Sequence, residues 1–276
     1  MRAWLLAARP KTLSASVAPL LAGTALAPSI NWSLFIYTLI GAVFIQIGTN
    51  LVNDALDFKR GADTADRLGP LRVTQAGLLS ANAVMAGAIV CFLIAALCGL
   101  PLIVRGGWPL VAIGAASILA AYAYTGGPYP LAYHGLGEPF VLLFFGFIAV
   151  GGTYYVQTLR FDARALIAGF AVGSLAVALL AINNLRDVQS DRASNKKTLT
   201  VRLGERFGRF EIAFAVLAPF VAIAFINLYP LIALPLAALV LRCVWRAKGR
   251  AFNRCLAMVG ALQWAFAILF VIGCRI

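Results

Sequence analysis

A chain of 276 residues in which 62% are hydrophobic and only 12% carry charge has half the charged fraction of an ordinary soluble domain, about 25%, and cannot cover a water-facing exterior. Lipid demands no such cover, so the composition points to a bundle of membrane helices that satisfy their own backbone in hydrocarbon. The net charge of +13 does not indicate nucleic acid, because the basic residues sort by membrane side.

A crossing helix needs about 20 mostly apolar residues, and nine segments qualify in chain order. The opening MRAWLLAARPKTLSASVAPLLAGTALAPS mimics a signal peptide, with Ala25-Leu26-Ala27 resembling a cleavage site. Pro28 follows directly and more apolar segments come after, so 13–28 reads as the first membrane helix. The rest are 34–53, 82–103, 108–125, 138–157, 165–184, 210–228, 230–245 and 255–273. Pro230 and Pro235 mark the eighth as kinked or re-entrant. The fold expected is all-α: a polytopic membrane protein of about nine helices around a central cavity, with 1–276 as one integral membrane domain. Cys91, Cys98, Cys243, Cys255 and Cys274 lie in or beside apolar runs without metal-type spacing and read as small apolar fillers.

With the N-terminus cytoplasmic and nine alternating crossings, 19 of the 23 Lys and Arg residues fall on the cytoplasmic side. Arg105, Arg160, Arg164 and Arg275 fall on the far side, with the C-terminus. This bias is the positive-inside pattern, and it sets basic loops against anionic headgroups. The location expected is a plasma membrane, of the bacterial inner-membrane type. The two long loops, roughly 54–81 and 185–209, share the cytoplasmic side, where function concentrates on an otherwise economical chain.

The first loop opens with NDALDFKRGADTADR, which holds Asp54, Asp57, Asp63 and Asp66, four of the ten acids in the chain. Asn53 and Asp57 are four apart. In the second loop Asn183 and Asp187 repeat that spacing 130 residues later, with Asn184 and Asp191 beside them. Arg72-Val73-Thr74 is loosely echoed by Lys197-Thr198. The repetition suggests two pseudo-related halves. Residues four apart share a helix face, so each cluster can point into one cavity if its helix continues past the membrane edge. An amide oxygen with carboxylates is hard-oxygen ligation, suited to Mg²⁺ held by one or two carboxylates plus substrate phosphates. Nearby bases, Lys59, Arg60, Arg67, Arg72, Arg186, Lys196 and Lys197, supply phosphate contacts. Acids for metal and bases for phosphate at the mouth of an apolar bundle describe a site for a diphosphate with a greasy tail. Asp54 and Asp66 fall outside this pattern and read as loop acids paired for solubility.

These residues resemble the UbiA superfamily of intramembrane aromatic prenyltransferases. Within it, ARPKTLSASVAPLLAG, DTADRLGPLRVTQAGLLS, AYTGGPYPLAYHGLGEPFVLLFFG, GGTYYVQ and NNLRDVQSDRASNKKTLTVRLG are similar to the 1,4-dihydroxy-2-naphthoate branch. The spacing Asp57-x5-Asp63 differs from the x3 of the 4-hydroxybenzoate branch. The resemblance implies nine helices around a cavity and Mg²⁺-dependent transfer of a polyprenyl group from its diphosphate to a bicyclic aromatic acid, with loss of the carboxylate, in menaquinone biosynthesis. It implies Asn53, Asp57, Asp63, Asp187 and Asp191 as the Mg²⁺-diphosphate residues. Asn183, Asn184, Arg67, Arg72, Lys197 and Tyr133 are then substrate contacts, and Tyr124 is a catalytic-site residue. One departure is the loop GGPYPLAYHGLGE, which has no Lys or Arg where relatives often carry a Lys. Tyr124, Tyr133, His134 or a base from another loop must replace it. Tyr122, Tyr124, Tyr154 and Tyr155 are candidates to face an allylic cation, and His134 to act as a base. Glu138 reads as favouring the dipole of the fifth helix.

Two other readings stay open. Another aromatic acceptor, such as 4-hydroxybenzoate, fits the same motifs. A secondary transporter also has paired halves and membrane acids, but its acids belong near the midplane on broken helices, whereas here they sit at helix ends. The Asp-Gly-x2-Ala-Arg core of a CDP-alcohol phosphotransferase is absent.

Overall fold

The computed structural model describes residues 1–62 and 68–276, with the side chain of Lys11 outside that description. The described residues form helices and connecting turns, with no strand among them. The helices are α1 Arg2–Ala8, α2 Ser14–Ala25, α3 Trp32–Lys59, α4 Ala81–Gly106, α5 Trp108–Ala123, α6 Gly137–Thr158 and α7 Ala163–Arg186. They continue with α8 Val188–Ala193, α9 Leu199–Leu203, α10 Glu205–Ile223, α11 Leu234–Arg246 and α12 Phe252–Arg275. Each of the nine apolar segments overlaps one of them, and among the described residues six helical spans are long and apolar enough to cross a membrane: α3, α4, α6, α7, α12, and α11 taken with the turn Tyr229–Ala233 before it. Helices α2 and α5 are apolar but shorter, and α10 carries Glu205, Arg206, Arg209 and Glu211 in its first seven residues.

Local chemistry sets the ends. Asn31 caps α3, its Oδ1 accepting from the Leu34 amide at 3.1 Å. Ser80 caps α4 in the same way through the Ala83 amide at 3.2 Å. The first predicted span, 13–28, is shorter than expected: α2 stops at Ala25, three residues before Pro28, since the residue ahead of a proline disfavours helical backbone. The eighth segment is kinked, with a 3₁₀ turn over Tyr229–Ala233 before α11 begins at Leu234. The cysteine reading needs a correction. The tight hairpin between α11 and α12 brings Cys243 and Cys255 to a Cα separation of 5.9 Å, and they form a disulfide; Cys91, Cys98 and Cys274 remain thiols.

Helix α7 is the hub of the bundle. It packs on α2, α6, α10 and α12, and 72% of its most apolar window is buried. Gly169 and Gly173 on α7 meet Gly146 on α6 so closely that a Cβ on Gly146 would stand 2.5 Å from the Gly169 carbonyl oxygen. Small residues let membrane helices approach this far. Beside the contact, Leu142–Ile148 of α6 is a π-helical stretch, a local widening common near functional sites. The chain ends lie at opposite ends of the bundle. Asn50 on α3 holds the Ala8 carbonyl at 3.0 Å, while Arg275 reaches the Thr24 and Ala27 carbonyls at 3.2 Å.

Candidate active site

Helix α3 runs six residues past its predicted boundary, to Lys59. It thereby holds Asn53 and Asp57 on one face at the rim of a cavity of about 1040 Å³. The end of α7 brings Asn183, Asn184 and Asp187 to the same cavity, and α8 adds Asp191. The second cluster is not one continuous helix, as the spacing had suggested. The chain leaves α-helical geometry at Asp187 (φ −97°, ψ 11°) and restarts at Val188. The Asp191 amide still bonds the Asp187 carbonyl at 2.8 Å, which keeps the second acid beside the first.

Each acid has a basic or hydroxyl neighbour. Asp57 accepts from Arg72 Nη2 at 3.0 Å and from the Tyr133 hydroxyl at 2.9 Å. Both partners of the Arg72–Asp57 ion pair are more than nine-tenths buried. Asp187 receives a two-pronged contact from Arg186, at 2.8 and 2.6 Å. Lys196 stands 3.7 Å from Asp191. The clusters are physically linked. Lys196 Nζ lies 5.7 Å from the centroid of the Tyr133 ring, whose hydroxyl holds Asp57. Arg186 also donates to Asn253 Oδ1 at 2.9 Å, and Asn253 donates to the Leu68 carbonyl at 2.9 Å, within the first long loop. Burial first, and then the adjacent Asp57 carboxylate, push the Tyr133 phenol above its ordinary range, so it stays a hydrogen-bond donor.

The remaining predicted residues divide by position. Tyr124 lines the cavity, its hydroxyl wedged where a Cβ on Gly137 would come within 3.2 Å. Asn53 Oδ1 accepts the hydroxyl of Thr125. Asn183 donates to the Leu179 carbonyl at 2.9 Å, and Asn184 to Glu138 Oε1 at 2.7 Å. Glu138 therefore anchors Asn184 rather than only serving the helix dipole. Lys197 lies away from the main cavity, in a smaller recess with Arg60, Tyr133 and His134; Lys196 takes the cavity side instead. Of the four tyrosines considered for an allylic cation, only Tyr124 lines the cavity. Tyr154 turns toward Asp162 at 3.5 Å and Tyr155 bonds the Gly106 carbonyl at 3.1 Å. Tyr122 is exposed. His134 stacks on Tyr129 at 3.6 Å between ring centroids, outside the main cavity. Asp63 and Arg67, with Asp66, lie outside the described residues.

Bases from other segments stand beside the lysine-free loop. Arg60 donates to the Gly127 carbonyl at 3.1 Å and sits 5.0 Å from the Tyr133 ring centroid, while Lys196 flanks the same ring. Sequence reasoning missed Arg186 as a partner of Asp187, although its adjacency was visible, and it underrated Asp54. That carboxylate is 1% exposed. It accepts from the Val73 and Thr74 amides at 3.2 and 3.0 Å and faces Arg9 at 3.8 Å. One residue off the Asn53–Asp57 face, it binds the loop that presents Arg72.

Among the described residues no three carboxylate, imidazole or thiolate groups converge on one point. The acids arrive singly or in pairs from two walls. That donor set fits Mg²⁺, which keeps waters and bridges to phosphate oxygens with one or two carboxylates. Below the charged rim the walls turn apolar, with Ile45, Leu102, Ile113, Phe144, Phe145 and Val156 among the lining residues. The shape is a charged mouth over a mostly apolar chamber.

The pattern that defines the UbiA prenyltransferase family matches residues 16–266. The chain is 41% identical over 205 residues to the 1,4-dihydroxy-2-naphthoate octaprenyltransferase of Mycobacterium tuberculosis, covering 73% of this chain and 70% of that one. It is 35% identical to the protein of the same name from Haemophilus influenzae, covering 86% and 84%, and 38% identical to that of Escherichia coli, covering 83% and 78%. The fold is similar to a UbiA homolog from Archaeoglobus fulgidus bound to GPP and Mg²⁺, with a TM-score of 0.69 at 13% identity, covering 99% of this chain and 100% of that one.

Proposed function

Because the chain belongs to the UbiA prenyltransferase family and is an aromatic prenyltransferase, we propose that it transfers a polyprenyl group from polyprenyl diphosphate to 1,4-dihydroxy-2-naphthoate, with loss of the carboxylate, in menaquinone biosynthesis. The observation that carries this reading is the convergence of Asn53 and Asp57 from α3 with Asp187 and Asp191 from α7 and α8 on one charged mouth above an apolar chamber. The names of the relatives support the naphthoate acceptor.

Mg²⁺, when bound, would neutralise the charge of the diphosphate leaving group; Asn53, Asp57, Asp187 and Asp191, with Asp63 from the first acidic loop, would hold it. Arg72, Arg186 and Lys196 stand beside those acids and orient phosphate oxygens. The allylic C1–O bond breaks with its electron pair leaving on pyrophosphate. The ring carbon that bears the carboxylate bonds to C1, and the carbon–carboxylate electrons return to the ring as CO₂ departs. The apolar walls keep water from the allylic carbon. The Tyr124 ring, with the stacked Phe140–Phe144 pair 5.9 Å apart, offers aromatic surface to developing positive charge, worth about 0.5–2 kcal/mol per ring.

The finer architecture belongs to the same reading: nine crossings in two related halves, the motif end cytoplasmic, in the inner membrane of a bacterium. The matching places of Asn53 and Asn183 near the ends of α3 and α7 support it. The test is an acceptor panel with purified protein, Mg²⁺ and a polyprenyl diphosphate. Dihydroxynaphthoate should be prenylated with stoichiometric CO₂ release. Faster prenylation of 4-hydroxybenzoate, with its carboxylate retained, would overturn the acceptor assignment.

A further inference from the structure

Three polar side chains in the less charged part of the cavity have no role in the chemistry above. Gln46 on α3 and Ser14 and Ser16 on α2 all line it. They are 9%, 4% and 5% exposed. Gln46 Oε1 and both serine hydroxyl oxygens are buried without a hydrogen-bond partner among the described residues. Several helix hydroxyls elsewhere return to the carbonyl four residues back, as Thr38, Thr49, Thr153 and Ser174 do, whereas Thr24 and Thr200, like the two serines, make no such bond. Ser14 and Ser16, in the first turn of α2 just past the 3₁₀ turn Pro10–Thr12, make no such bond.

The register brings two of the three to one level. Asn50 Nδ2 donates to Thr12 Oγ1 at 3.1 Å, which pins the start of the antiparallel α2–α3 pair. Four residues further from that bond lies Ser16 on α2, and four residues back along α3 lies Gln46, each one turn deeper on the same face. Gln46 is seven residues from Asn53, about 10 Å nearer the chamber. A bicyclic ring seated beneath a diphosphate at Asn53 and Asp57 spans that depth.

We propose that Gln46 and Ser16, with Ser14 completing the patch, form the subsite that reads a ring hydroxyl of the aromatic acceptor. This assignment rests on the prenyltransferase reading of the cavity. An isoprenoid tail has only C–H groups and would leave all three groups unpaired, the costly arrangement for buried polar atoms. A phenolic hydroxyl donates to Gln46 Oε1 and accepts from a serine hydroxyl, and the soft terminal torsion of the amide lets its oxygen turn to the ligand. A buried site built to bond a hydroxyl rejects analogues that lack it.

The test compares wild type with Gln46→Leu and Ser16→Ala, purified in detergent and supplied with Mg²⁺ and a polyprenyl diphosphate. In Gln46→Leu the acceptor KM should rise about 10- to 100-fold, with the diphosphate KM within about twofold. Inhibition constants for the two monohydroxy-2-naphthoates, each lacking one ring hydroxyl, complete a cycle. Wild type should discriminate against one of them, and the variant should treat that analogue and the dihydroxy acid alike. Equal movement of the diphosphate KM, or losses that simply add, would overturn the subsite. If Gln46→Leu does not survive purification, Ser16→Ala carries the same cycle at a smaller amplitude, and flat discrimination there would also overturn it. A wild-type protein that prenylates no naphthoate sinks the functional reading itself, before any variant is compared.

Discussion

Asp57 and Asp187 each lie four residues beyond an asparagine, 130 residues apart in the sequence, yet their surroundings are built differently. Asp57 is held from a distance: Arg72 comes from 15 residues away and Tyr133 from 76. The loop that delivers Arg72 is itself tied down by Asp54 through the Val73 and Thr74 amides. Asp187 is held locally, by the guanidinium of its neighbour Arg186, and Asp191 has Lys196 five residues on. One wall of the mouth is a product of tertiary folding and the other of local sequence. Substitutions around the first wall should therefore propagate to its acid, while those around the second should act where they are made.

The comparison can be broken or sharpened by variants, beginning where the effect is greatest. Removing divalent metal with EDTA should abolish turnover, and Mg²⁺ should restore it; full activity in chelator would remove the diphosphate role from both walls at once. Asp57→Asn and Asp187→Asn should each lower kcat by at least about 10²–10³-fold, the scale of losing one preorganised electrostatic contact to a transition state. Thermal unfolding in detergent reports whether each variant still folds.

Arg72→Ala leaves the buried Asp57 without its guanidinium. Loss of one partner of a buried pair costs about 3–5 kcal/mol, so the variant should unfold at a visibly lower temperature as well as turn over more slowly. An unshifted transition would show that the first wall is not held by tertiary contacts. Asp54→Asn should act more gently, raising the KM for the diphosphate by about tenfold with little change in that for the acceptor. Equal effects on both would mean that Asp54 supports the fold generally rather than the Arg72 loop. The smallest change expected is for Tyr133→Phe, which removes a single hydrogen bond to a carboxylate. A loss of about three- to fivefold in kcat/KM is predicted, and a pH–rate profile should keep its shape, because burial and the Asp57 carboxylate hold the phenol above its ordinary range.

How much of this was legible follows the same division. The apolar segments announced the helices because hydrophobicity over about 20 residues is a local property. The shared face of Asn53 and Asp57 was legible because four-residue spacing on a helix is local too. What depended on distant parts of the chain was not legible. Nothing near Asp57 signals Tyr133, and nothing in GGPYPLAYHGLGE signals that Arg60 and Lys196 flank its tyrosine. The Cys243–Cys255 pair requires knowing how tightly α11 turns into α12. Asp54 was passed over because it lies off the motif face, and a carboxylate that caps a distant loop has no periodic signature. Lys197 was favoured over Lys196 on its neighbouring threonine, whereas the break between α8 and α9 decides which lysine meets the cavity.

The central claim is that the two walls grip one diphosphate together. It is tested most directly by a double-variant cycle: pyrophosphate release by wild type, Asp57→Asn, Asp187→Asn and the combined variant, measured in detergent with Mg²⁺ and dihydroxynaphthoate. Groups that act as one unit are strongly non-additive. The combined variant should thus be no slower than the worse single variant by more than about tenfold. Losses that multiply in full, as they would for independent sites, would contradict a shared headgroup site at this mouth.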